Sequence, residues 1–378
     1  MKKLLFISNV SRKITNFSVP SILAGQRLGY EVHLAANYSH FDDEPKRYGV
    51  KIHHIDINRN PFSLANIKAY KQMLALIRRE KYEVIHCNTP IGGVLGRLCG
   101  KRANVRKIIY TAHGFHFYKG APIINRTLYK WAERLMARYT DVIITINKED
   151  YEAAKGFRLR KNGSVYWIPG VGIDTTLATT AKSKRKELLN EIGAEGHSIL
   201  LISVGELNRN KNHKAILHAL AAIKDPRIHY ILCGVGREKA KLESFVDREG
   251  LRNNIHFLGY RNDIIELLKS CDIFVLASYR EGLPRAVMEA MSAGLPCVIS
   301  KIRGNVDLIE HGKGGFLHVP TDIDGFAHSI NLLAKDPELR EKMGAYNLQV
   351  IKHYDIVRVK TMMQDIYERE LGGEKDTN

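Results

Sequence analysis

Residues 271–300 read CDIFVLASYREGLPRAVMEAMSAGLPCVIS. Ile273 to Leu276 is a short apolar run of the kind that forms a strand buried on both faces. A polar loop follows, and Pro284 stands where its fixed φ and missing donor suit the first residue of a helix. The Gly294-Leu295-Pro296 break then returns the chain to a second apolar run, Cys297 to Ile299. Strand, helix and strand in that order make a parallel β-α-β unit.

The same rhythm runs outward from this unit. Ile199 to Val204, Ile228 to Cys233 and Ile255 to Leu258 precede it, and an earlier set lies at Leu4 to Ile7, Glu31 to Ala35, Val84 to Cys87, Ile108 to Thr111 and Val142 to Ile146. Helical patterns such as Asn66 to Arg79 and Thr127 to Arg138 stand between them. The expectation is an α/β protein of two doubly wound domains, in keeping with a 378-residue chain, since single cores seldom grow beyond about 250–300 residues. Pro169-Gly170-Val171-Gly172-Ile173-Asp174 and the polar stretch after it read as a hinge, which places the domains at 1–170 and 171–355. A helical tail, Asp336 to His353 and then Ile356 to Leu371, closes the pattern.

A 44% hydrophobic and 26% charged composition excludes disorder, collagen and a membrane bundle. The five cysteines form no C-x-x-C pair and sit among apolar neighbours, which fits a reduced, cytoplasmic protein. Met1 to Ile7 imitates a signal peptide, but its apolar run is too short for one and reads as a first strand. The net charge is +18, and it is lopsided: residues 1–170 hold 29 Lys/Arg against 12 Asp/Glu, the remainder 29 against 28. Such a field steers the first half toward phospholipid, nucleic acid or a phosphorylated substrate.

Ligands of open parallel sheets lie beyond the carboxyl ends of the strands. After Leu276, the amides of Gly282, Leu283 and their neighbours would form a helix N-terminus suited to phosphate. Glu281 lies in the loop before it. Glu289 lies about one and a half turns inside the helix, leaning back toward its start. A carboxylate beside a phosphate repels it, so both make sense as acceptors for hydroxyls at the two ends of a diphosphate, which a nucleotide-sugar supplies. Without such a ligand they are a helix-dipole residue and an exposed helical glutamate.

The Glu281-x7-Glu289 spacing and the surrounding EGLPRAVMEAMSAGLPCV resemble the donor-binding segment of the retaining glycosyltransferases of family 4. The resemblance spans nearly the whole chain. It implies the GT-B fold, in which two Rossmann-like domains face across a cleft and the final helix, 356–371 here, crosses back to the first domain. In that family the turn at Ser203 to Asn212, which includes Gly205, supplies an Arg and a Lys to the donor diphosphate. Lys211 matches the Lys, but the usual Gly-Arg-Leu is Gly205-Glu206-Leu207, with Arg209 the candidate to restore the cation. The same residues on their own read as solvated loop cations. Cys233-Gly234-Val235-Gly236 resembles the family's Gly-x-Gly turn, with Lys239 where a dinucleotide fingerprint needs a small residue. Arg261, in a loop that relatives use against the base, reads equally as a stacking partner or a surface arginine.

Thr111 to Gly120 most resembles bacterial capsular and exopolysaccharide enzymes of this family, and His113 matches the histidine that faces the reacting sugar. His113 and His116 with no placed Cys or carboxylate give no complete metal set. Asn9, Ser11 and Arg12 follow the first strand, where relatives meet the acceptor. Arg126, Lys130, Arg134 and Arg138, spaced by four beside Ile123, Ile124, Leu128, Tyr129, Trp131 and Leu135, make a basic amphipathic helix. It reads as a membrane-surface element or as a helix packed on the sheet with a solvated face.

The implied reaction moves a sugar from a UDP-linked donor to an undecaprenyl-diphosphate-linked acceptor at the inner face of the membrane, with retention. No metal or other cofactor and no nucleic acid partner is expected. A GT-B-type sugar-nucleotide epimerase and a non-catalytic nucleic-acid-binding protein are the rival readings.

Overall fold

In the computed structural model, which describes residues 1–160 and 163–372, the apolar runs become two parallel sheets. The first holds β1 (Lys3–Val10), β2 (Glu31–Asn37), β3 (Lys51–His54), β4 (Val84–Asn88), β5 (Lys107–Ala112), β6 (Val142–Thr145) and β7 (Ser164–Trp167), ordered β3-β2-β1-β4-β5-β6-β7. The second holds β8 (Ile199–Val204), β9 (Ile228–Cys233), β10 (Ile255–Gly259), β11 (Ile273–Leu276), β12 (Cys297–Ser300) and β13 (Gly315–His318), ordered β10-β9-β8-β11-β12-β13. Each is a Rossmann-like α/β sheet whose strand order reverses at its centre. Leu4 pairs with Val84 at β1/β4, and Ile273 with Leu201 at β8/β11. In open parallel sheets the ligand lies beyond the carboxyl ends of the strands at such a switch point.

Three strands escape the sequence reading: β3, β7 and β13. All three are outermost in their sheets. An edge strand is covered less completely than a central one, so Lys51-Ile-His-His and Ser164-Val-Tyr-Trp carry no continuous apolar signal.

The chain divides into Met1–Gly172 with the segment from Ile356, and Ile173–Asp355. The crossing thus falls two residues beyond the expected 170. Gly172 has φ +73°, and a Cβ there would lie 2.7 Å from Ile356 Cα. Ile173 forms a bridge with Asp355 and donates to Tyr354 O at 3.1 Å. The outgoing and returning segments therefore run side by side, close enough that only glycine fits. The helix Ile356–Leu371 packs in the first unit, where the Tyr367 hydroxyl meets His86 Nδ1 at 2.7 Å.

The helix expected over Thr127 to Arg138 has a different shape. A π-helical segment spans Asn125–Tyr129 and an α-helix spans Lys130–Ala137. Its inner side is fixed by polar anchors: Asn125 donates to His116 O at 2.9 Å, Tyr129 stacks on His116, and Glu133 meets Arg97. Arg97 is fully buried, donates to Glu133 at 2.8 and 3.3 Å and to Gly93 O at 2.9 Å, and lies 4.0 Å from the Tyr110 ring centroid. A buried guanidinium needs this full set of partners. All five cysteines are buried thiols.

Candidate active site

In the second unit, the turn after β8 and the loop after β11 are stapled together across the switch point. The asparagines of Asn208-Arg209-Asn210-Lys211-Asn212 do the stapling. Asn208 Oδ1 accepts from Lys211 N at 3.0 Å, Asn210 Nδ2 donates to Arg280 O at 2.9 Å, and Asn212 Nδ2 donates to Ala277 O and Pro320 O at 3.1 and 2.9 Å. Tyr279 N donates to Asn210 O at 2.8 Å. Lys211 is thereby aimed at the neighbouring loop, where its Nζ donates to Glu281 Oε1 at 2.8 Å, with the two side chains 18% and 12% exposed.

Beyond Glu281, no hydrogen bond of the described residues uses the amides of Gly282 or Leu283. The helix Arg285–Ser292 follows, and Pro284 is its cap rather than its first residue: φ is −75° but ψ is 117°. The ring fixes φ and leaves ψ free, so the sequence could not place this boundary to the residue. Met288 N makes the first intrahelical bond, to Pro284 O at 3.3 Å. The amides of Arg285, Ala286 and Val287 precede it and are free for an anion. Glu289 leans back as expected, but onto Arg285, whose Nε reaches its Oε1 at 2.7 Å. Sequence reasoning missed Arg285 in this role.

Close backbone contacts hold the loops in place. A Cβ on Gly234 would collide with Gly205 O, one on Gly236 with Leu207 O, and one on Gly304 with Gly282 O. The Gly-x-Gly turn thus packs loop on loop. Arg303, buried and donating from Nε to Glu281 O at 3.2 Å, is a further residue the sequence reading missed. It lies in the turn after β12, where inspection of strand ends would have found it. Arg209 is separate from the Lys211–Glu281 pair: it is exposed and lines an adjoining hollow of about 360 Å³ with His213, Lys241 and Tyr279. Arg261 donates twice to Asp263 at 2.8 Å and once to Glu191 at 2.9 Å, leaving its flat faces for any stacking.

In the first unit, His113 follows β5. Its Nε2 donates to Asn88 Oδ1 at 2.6 Å, and its Nδ1 is sealed from solvent without a partner. Burial lowers its pKa to about 4, so the ring is neutral at pH 7 with a lone pair on Nδ1. The Phe17 ring meets it edge-on at 5.0 Å, a contact with no sequence signal.

Asn9 and Ser11 are placed otherwise than expected for acceptor contacts. Asn9 is buried, and its Oδ1 accepts from Thr89 Oγ1 at 2.7 Å and from Gly92 N at 2.5 Å, capping the helix Pro90–Arg102. Its carbonyl oxygen is consumed by the fold. Ser11 Oγ donates to Lys13 O at 2.8 Å within its own turn. Arg12 is exposed. The basic stripe divides: Arg126 and Lys130 line a hollow of about 700 Å³ that Arg134 and Arg138 do not touch. Among the described residues no group of three His, Cys, Asp or Glu side chains is gathered as a metal site, and no helix is long and apolar enough to cross a membrane.

Residues 184–350 match the model of the glycosyl transferases group 1, and residues 3–147 that of the glycosyl transferase 4-like domain. The chain is 35% identical to the glycosyltransferase EpsD of Bacillus subtilis, covering 97% of this chain and 96% of that one. It is 29% identical to the UDP-Gal:alpha-D-GlcNAc-diphosphoundecaprenol alpha-1,3-galactosyltransferase of Escherichia coli, covering 82% and 81%. Among solved structures, Anabaena HepE in complex with UDP-glucose superimposes with a TM-score of 0.78 at 22% identity, covering 98% of this chain and 100% of that one.

Proposed function

Because the chain belongs to the glycosyl transferases group 1 family and is a hexosyltransferase of GT-B fold, we propose that it moves a hexose from a UDP-linked donor to a sugar carried on undecaprenyl diphosphate, with retention, in capsule or exopolysaccharide synthesis. The observation that carries this reading is the Lys211–Glu281 pair beside the unused amides of Gly282 and Leu283. A cation and free amides suit a diphosphate, and the carboxylate suits a sugar hydroxyl next to it. The Escherichia coli relative, by its name, uses UDP-Gal and a diphosphoundecaprenol-linked acceptor, which supports both substrate classes.

The chemistry is a problem of charge. The bond from the anomeric carbon to the donor phosphate breaks as the sugar becomes oxocarbenium-like, and the diphosphate leaves with the electron pair. Lys211 and the amides of Gly282, Leu283, Arg285 and Ala286 stabilise that negative charge in place, with no reorganisation at the moment of reaction. Arg209 lines the adjoining hollow and adds positive charge to the field around the diphosphate from there. Glu281 and Glu289 orient hydroxyls of the sugar and ribose, Gly205 keeps space for the Lys211 stem, and Arg261 offers its faces to the base. An acceptor hydroxyl forms the new carbon–oxygen bond on the face the phosphate leaves, and its proton passes to a departing phosphate oxygen. His113, neutral, offers Nδ1 as an acceptor to a sugar hydroxyl only once the packing that now seals that atom from solvent opens. Because the side chains supply the positive charge, no metal is required. The basic N-terminal unit, with Arg134 and Arg138, holds the enzyme peripherally on an anionic membrane.

A screen of nucleotide-sugars by thermal shift tests the reading, since a ligand bound only to the folded state stabilises it by about 2.7 kcal/mol at a hundredfold excess over Kd. UDP-hexoses should raise the melting temperature of the wild type and not of Lys211→Met. Equal shifts in both proteins, or none in either, would remove the site.

A further inference from the structure

Four large apolar side chains of one surface segment face solvent: Ile123, Ile124, Leu128 and Trp131 are 78%, 61%, 52% and 63% exposed. Burying them would be favourable, and a monomer does not leave such a run uncovered without cause. Next to them is the 700 Å³ hollow, walled by the Phe117–Gly120 loop, the π-helical turn and the start of the helix Lys148–Lys155. Lys119 lines it from the loop, and Arg126 and Lys130 from successive turns of the helical stretch. Two carboxylates also line it, but Asp150 is spent on the fold, accepting from Asn147 Nδ2 at 2.8 Å and Phe115 N at 3.0 Å. Glu149 is anchored at one oxygen by Lys119 N at 2.7 Å.

We infer that this hollow is the subsite for the diphosphate of the prenyl-linked acceptor, with Ile124, Leu128 and Trp131 carrying the first isoprene units; the inference rests on the acceptor class proposed above. Three cations lining one hollow match the charge of a diphosphate, which one surface lysine would not. Glu149 would repel that diphosphate unless it also accepts a hydroxyl, and the sugar attached to the phosphate provides one. The apolar run continues from the hollow, so head group and tail are recognised by adjoining surfaces. A hollow of this volume is ample for a diphosphate and one sugar ring. The two sides of this stretch divide the labour: Asn125, Tyr129 and Glu133 turn inward, Arg126 and Lys130 line the hollow, and Arg134 and Arg138 lie outside it.

Farnesyl diphosphate, titrated without vesicles against the full chain, tests this through Trp131 fluorescence, with Trp131→Phe identifying the signal. Saturable binding is expected, weakened at least thirtyfold in the double variant Arg126→Gln/Lys130→Gln, with farnesol and inorganic pyrophosphate each binding far more weakly than farnesyl diphosphate. Equal binding by the double variant, or by farnesol, or by pyrophosphate alone, overturns the subsite. The readout needs no catalysis. Binding as expected with no hexosyl transfer would leave the subsite standing and sink the proposed reaction, while transfer that is indifferent to both substitutions would do the reverse.

Discussion

Replacing Lys211 by methionine keeps the bulk of the stem and removes the charge. In the native protein Nζ lies 2.8 Å from Glu281 Oε1, and both side chains are largely covered. The substitution therefore acts twice: the departing diphosphate loses a contacting cation, and Glu281 becomes an uncompensated carboxylate beside it. A unit-charge pair at 4 Å amounts to about 4 kcal/mol at an effective dielectric near 20. Loss of one preorganised donor to a developing oxyanion costs about 10²–10³-fold in kcat. The two figures agree, so kcat should fall about 10²–10³-fold. Because part of that loss is repulsion from Glu281, adding Glu281→Gln should cost less than the product of the two single effects. Because the two side chains are only 18% and 12% exposed, stranding Glu281 lowers folding stability as well, and melting curves must accompany the rates. Initial rates with labelled UDP-hexose and a prenyl-diphosphate-linked sugar, beside melting curves by circular dichroism, measure both. A kcat within about threefold of wild type in a normally melting protein would place the leaving group elsewhere.

Chelation by EDTA should leave the transfer rate unchanged, and recovery of a lost rate by added magnesium would contradict charge stabilisation by side chains alone. Glu133→Ala should lower stability by about 3–5 kcal/mol, because it strands the buried Arg97 guanidinium; Arg97→Met/Glu133→Leu should regain most of that, and a harmless single variant would refute the pairing. Stability should fall on acidification below about pH 6.5. Burial holds His86 at about 3 and His213 at about 4, against 6.5 in the unfolded chain. As pH drops through that window the unfolded state takes up the protons first, and each ring costs the native state about 1.4 kcal/mol per pH unit. The urea midpoint at pH 5.5 should accordingly lie below that at pH 7.5, and a flat profile would mean that these rings titrate normally.

What the sequence disclosed follows burial. The central strands were legible as unbroken apolar runs because both their faces are covered, and the outermost β3 and β7 were not. The Glu281–Glu289 helix was legible because proline and glycine mark its ends, though ψ at Pro284 moved its start by one residue. Asn9 shows why a polar residue at a strand end is ambiguous. The position looks the same in sequence whether the side chain meets a ligand or caps the neighbouring helix, and only the partner 83 residues away, Gly92, decides. Nor does any composition signal announce the π-helical turn, and the even spacing of Arg126, Lys130, Arg134 and Arg138 does not show that the hollow lies only at the start of this stretch, where two of them line it and two do not.

The departure at Glu206 is explained by the same loop geometry. Gly205 has φ +155°, which side chains rarely adopt, and a Cβ on it would sit 3.2 Å from Lys211 Cε, so a larger residue here is strained and crowds the lysine that crosses to Glu281. The next residue is under no such restriction. Glu206 is exposed, and among the described residues it forms no ion pair with Lys211 or Arg209. An anion there is screened by water and by the Debye atmosphere, whereas one at position 205 would strain the backbone and crowd the stem of the cation. The turn thus constrains the glycine by space and conformation while leaving its neighbour free in charge. That is why a family pattern can lose its arginine here and keep the Lys211–Glu281 contact intact.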